Sequence, residues 1–136
     1  MLQYFIENKS IPQVRQICEN INNLKCRIIN KDYNDSYELF NSSMELFDKV
    51  KEIALDKCNE KLANTQFVFK AYFKLFCDLS SYFEMLIKKE YKKSWDKLQD
   101  CLDDIRLIGR FTEIEKLMSF IPFLNNTKLY IRIVCL

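Results

Sequence analysis

Four aspartates, Asp96, Asp100, Asp103 and Asp104, recur at spacings of three and four, which on a helix gathers their carboxylates on one face. Carboxylates so paired can clamp a hard cation through oxygen ligands. Helical di-metal centres add Glu and Glu-x-x-His ligands inside a bundle, and this chain has no histidine at all. Lys92, Lys93 and Lys97 lie among the same acids at three- and four-residue spacings, so the row reads as an ion-paired, solvated face. The basic run Lys88, Lys89, Lys92, Lys93 and Lys97 could meet phosphates. Glu90 and Asp96 interrupt it, and Tyr91 and Trp95 fall on the apolar side by spacing, away from the lysines.

The missing histidine removes His-based acid–base catalysis, most catalytic zinc sites and the Ser-His-Asp triad. Arg106 and Arg110 likewise lack the histidine that an all-α ribonuclease would place after its arginine. Gly109 is the only glycine, which excludes a glycine-rich phosphate loop. Cys18, Cys26, Cys58, Cys77, Cys101 and Cys135 form no CxxC or CxC pair, so they read as small core hydrophobes rather than metal ligands. Phe73, Phe76, Tyr82, Phe83 and Trp95 could line a ligand pocket, but their helical spacing reads as core. No catalytic residue, cofactor or metal is expected, and the chain reads as a non-enzyme.

The elements that carry these residues are helical. Ser10 stands where an N-cap belongs, with Pro12 in the first turn and Gln13 completing a capping box. Val14, Ile17, Cys18, Ile21, Leu24 and Ile28 then form one apolar stripe. Loop chemistry at residues 30–36 precedes a second helix from about Tyr37, with Phe40, Met44, Phe47, Val50, Ala54 and Cys58 on one face. Residues 67–87 are apolar almost all round, as in the central helix of a bundle. Lys70, Lys74 and Asp78 are spaced by four and read as one solvated face, and charges inside the stretch argue against a membrane span. A helix over residues 91–110 places Tyr91, Trp95, Leu98, Cys101, Leu102, Ile105 and Ile108 inward and the four aspartates outward, with Gly109 suited to an αL end. Thr112 and Glu115 open a further helix, and residues 127–136 suit a short extended tail.

The expected architecture is an all-α, compact bundle of about five helices, one domain over residues 1–136, with a short extended C-terminal tail. A 136-residue chain that is 49% hydrophobic and 29% charged supports a core of its own. The net charge of +2 names no polyanionic partner. The first ten residues, MLQYFIENKS, break their apolar patch at Glu7 and Lys9 and do not read as a leader, so reduced thiols and a cytoplasmic location are expected.

Residues 91–111 carry Ser94-Trp95, Leu98-Gln99, Leu102 with Ile105-Arg106, and Arg110-Phe111. In these features the segment resembles the helical region upstream of the zinc-binding SEC-C motif in a group of poorly characterised bacterial proteins. That group continues into a Leu-Tyr-Pro-Tyr stretch; Leu129-Tyr130-Ile131-Arg132 stands in its place without the proline, and the Cys/His zinc motif is missing. The resemblance implies a helical bacterial domain and no established activity.

The functional expectation is therefore a protein–protein interaction or regulatory module, paired with another protein or with itself and not with a membrane. Its candidate contact residues are Lys92, Lys93, Trp95, Gln99, Arg106, Arg110 and Tyr130. The alternative is an accessory nucleic-acid binder that uses residues 88–97 with Arg106 and Arg110. Trp95 stands between two roles: as core its indole N–H needs an internal acceptor, and as a partner anchor it faces solvent. Its spacing with Tyr91, Leu98, Leu102 and Ile105 favours the core.

Overall fold

The computed structural model describes residues 2–111. They form five helices: α1 (Leu2–Glu7), α2 (Pro12–Ile29), α3 (Glu38–Asp56), α4 (Glu60–Ile87) and α5 (Tyr91–Gly109). The all-α bundle is thus as the spacings predict, while its members differ. The first helix is the short α1, where the sequence shows only an apolar patch; Leu2 and Phe5 are its buried residues. The helix, tail and Cys135 expected beyond residue 111 lie outside the described residues.

Helix α4 is the hub and packs against all four others. Its middle, Leu75 to Tyr82, is buried residue after residue, which is why the segment is apolar all round. It begins seven residues earlier than its greasiest stretch, where the Asn59 side chain accepts the Leu62 N–H at 3.1 Å and so satisfies a donor that the first turn leaves open. Ring stacking ties α1, α3 and α4 together: Phe5 lies 4.3 Å from Phe69 and 6.2 Å from Phe47, and Phe47 and Phe40 both meet Phe73 edge-on. The predicted stripe of α2 is buried throughout, and Lys25 lays its ammonium over the rings of Tyr72 and Phe76 at 5.2 and 5.1 Å. A buried amide joins α2 to α3, Asn20 Nδ2 donating to Ser43 Oγ at 2.8 Å.

Three helix ends share one device. After α2, α3 and α4 the residues Lys31, Cys58 and Lys89 turn left-handed, with φ of 59°, 52° and 59°. In each the next amide returns to a carbonyl five residues back: Asp32 to Arg27, Asn59 to Ala54, Glu90 to Met85. These are Schellman closures, built on residues with a Cβ because the chain has a single glycine. That glycine, Gly109, does not take the αL position expected of it: it lies in the last turn of α5 with negative φ. Cys58, expected on the inner face of α3, is consequently exposed at a turn, and Cys26 is exposed as well, whereas Cys18, Cys77 and Cys101 are buried. Ser10 is not a cap either, since α2 starts at Pro12 with Ile11 before it and no side-chain cap bond.

Among the described residues no helix is long and apolar enough to cross a membrane.

Candidate functional site: the tip and the seam of the α4–α5 hairpin

Helices α4 and α5 are joined by three residues, Lys88 to Glu90, and pack as an antiparallel pair. The buried face of α5 is set by Ser94, Leu98, Cys101, Leu102, Asp104, Ile105 and Ile108. Tyr91 and Trp95, expected inward, sit on the flank of that stripe and are 65% and 52% exposed. The small Ser94 takes the inward position at this end instead, its hydroxyl donating to the Tyr91 carbonyl at 2.8 Å. Tyr91 and Trp95 are one turn apart and share a face. Ile87, the last residue of α4, adds a third large apolar side chain at the same end, 67% exposed.

Lysines surround this tip. Lys88 pairs with Glu84 at 2.8 Å and Lys93 with Glu90 at 3.7 Å. Lys89 and Lys92 are exposed and make no ion pair among the described residues. Of the expected contact residues, Lys92, Lys93, Trp95, Arg106 and Arg110 are exposed and Gln99 is partly so, while Tyr130 lies outside the described residues. The turn spacing of Trp95, Gln99 and Arg106 runs them down one flank of α5; Lys93 lies off that line.

The acidic row does not stay together. Asp96 and Asp103 are exposed, Asp100 is half-buried, and Asp104 turns into the seam between α4 and α5. Lys97 meets Asp100 at 3.8 Å and Arg106 meets Asp103 at 3.5 Å, the ion pairing expected of a solvated face. Among the described residues no three Cys, Asp or Glu side chains form a metal-binding group.

Asp104 belongs to a partly buried polar chain that spacing does not reveal. Lys74 Nζ donates to Asp78 Oδ2 at 2.8 Å and to Asp104 Oδ1 at 3.3 Å. The Tyr37 hydroxyl donates to Asp78 Oδ1 at 2.5 Å and accepts from Lys97 Nζ at 2.8 Å. Asp78 is only 1% exposed, so the solvated face expected for Lys74 and Asp78 is instead a link from α4 to α5 and to Tyr37 at the start of α3. Burial would raise the Asp78 carboxyl, but hydrogen bonds from Asp104, Lys74 and Tyr37 outweigh it and hold it below the usual carboxylate range. Burial and then the neighbouring Asp78 push Asp104 the other way, up to about 9. Burial foremost, reinforced by the carboxylates, also raises the Tyr37 hydroxyl and the Cys77 and Cys101 thiols, which therefore stay protonated and unreactive. One signal was available: a charge such as Asp78 inside an unbroken apolar run must find a buried partner.

Two surface clefts, of about 520 and 610 Å³, open between α3 and α4 around Leu55 and Cys58 and before α3 around Asp35 and Tyr37. The aromatic residues weighed as a pocket line neither: Phe73, Phe76 and Tyr82 are core and Phe83 packs against it. No known family model matches this chain, and neither a curated protein nor a solved structure matches it.

Proposed function

We propose that the chain is a non-enzymatic interaction module of a bacterial cytoplasmic system and that the tip of the α4–α5 hairpin is its contact surface. The observation that carries this reading is the exposure of Ile87, Tyr91 and Trp95 together at one end of the hairpin. Tyrosine, tryptophan and arginine are the residue types that anchor protein interfaces, and Arg106 continues the flank of Tyr91 and Trp95. Lys89 and Lys92 beside them, without an ion pair among the described residues, define the occupant by charge: a protein surface with an apolar pocket and an acidic rim. The resemblance of residues 91–111 to a bacterial helical region fits the same reading.

A single-stranded nucleic acid is the second reading. It gains from the outward Tyr91 and Trp95, because bases stack on aromatic rings beside lysines. Against it, Asp96 and Asp103 stand exposed within a few turns, and Lys88 and Lys93 are already ion-paired.

A photo-crosslinking residue placed at Lys92, with Lys51 on the exposed side of α3 as control, tests the reading in cells. The expected result is one discrete protein adduct from position 92, absent from position 51 and lost when Trp95→Ala is added. Adducts to nucleic acid, adducts to a second copy of the chain, or equal labelling from both positions would overturn it.

A further inference from the structure

The charges buried in the α4–α5 seam balance only if one carboxyl is neutral. Among the described residues Lys74 is the single cation that bonds both Asp78 and Asp104. The other groups facing them are Tyr37 from just before α3, Cys77 from α4, and Lys97, Asp100 and Cys101 from α5. Tyr37 and the thiols are uncharged, and Lys97 is matched at the rim by Asp100, 3.8 Å away. One ammonium therefore serves two carboxyl groups, and a buried carboxyl without a counter-charge takes up a proton.

Hydrogen bonding says which one. Both Asp78 oxygens already accept, one from Tyr37 and one from Lys74. Asp104 uses Oδ1 for Lys74, while its Oδ2 is buried with no donor in reach. Asp78 and Asp104 meet at the same ammonium, Lys74 Nζ standing 2.8 Å from Asp78 Oδ2 and 3.3 Å from Asp104 Oδ1. A proton on Asp104 Oδ2 turns that orphan oxygen into a donor and leaves the seam neutral.

We propose that one proton, carried by Asp104 and shared with Asp78, latches α5 onto α4, and that its loss on alkalinisation loosens the hairpin. This stands independently of the reading of the hairpin tip. An unfolded aspartate titrates near ~3.9, and Asp104 in the fold holds its proton far above that. The stabilisation is therefore fully present below the unfolded value and is lost as pH rises through the folded one.

Urea unfolding of the full chain across pH, compared with Asp104→Asn and Asp78→Asn, tests the latch. Over the window in which the fold alone keeps the proton, the wild-type unfolding constant should rise about tenfold per pH unit. Either amide removes the second carboxyl while preserving a hydrogen bond, so both variants should lose that slope. The infrared spectrum of the native protein at neutral pH should also carry a protonated-carboxyl stretch that disappears in Asp104→Asn. This band keeps the test open if one variant fails to fold. A wild type without the slope, a slope unchanged in the variants, or no protonated-carboxyl band would overturn the proposal.

Discussion

Lys74→Met should destabilise the protein by about 2–4 kcal/mol at neutral pH, and acid should return much of the loss. Breaking a fully buried ion pair from one side costs about 3–5 kcal/mol. The lower figure reflects a lysine side chain that is 42% exposed, so that water screens part of its charge. Without the ammonium, Asp78 and Asp104 keep one proton and one negative charge in a seam where their side chains are 1% and 9% exposed. A second proton is then the remaining way to neutrality. The folded variant thus binds more protons than the unfolded chain, and its stability falls as pH rises. Urea midpoints at neutral and mildly acidic pH measure this directly. A loss under about 1 kcal/mol that ignores pH would show that the seam does not depend on Lys74.

Phe73→Ala is expected to cost about 3–5 kcal/mol, the range for deleting a fully buried aromatic ring. Phe73 has no exposure and stands where α3 meets α4, its ring 5.5 Å from Phe40 and 6.3 Å from Phe47. Removing it strips edge contacts from both neighbours and breaks the run of rings that reaches α1 through Phe47 and Phe5. The helices on either side are long and held by other residues, so the cavity cannot close by collapse. Denaturant unfolding should show a lower midpoint with an unchanged slope. A midpoint near wild type would mean that the aromatic run contributes little.

The stripe of α2 and the central place of α4 were legible because both rest on period: residues at three and four spacings bury together, and an all-round apolar helix must lie inside. What period could not convey is phase at a border. In α5 the repeat that includes Leu98, Leu102 and Ile105 also admits Tyr91 and Trp95, yet the axis of contact runs through Ser94 and Cys101 and turns the two aromatics outward. The same small rotation draws Asp104 inward beside Cys101 and Ile108, so one of four similar aspartates leaves the solvated face. Lys74 and Asp78 share a face as their spacing requires, but which neighbour covers that face depends on how α5 folds back across it. Helix α1 was missed because six residues with two apolar positions make no periodic signal. The exposure of Trp95, which its spacing places in the core, is a tertiary fact.

The central claim, that Trp95 is a surface anchor at the hairpin tip, meets its most direct test in iodide quenching of this sole tryptophan. It is measured in the isolated protein and in the complex with the partner recovered through position 92. Red-shifted emission that iodide quenches freely is expected in the isolated chain, becoming shielded in the complex. Emission already blue-shifted and protected in the isolated protein, or quenching equal in both, would contradict it.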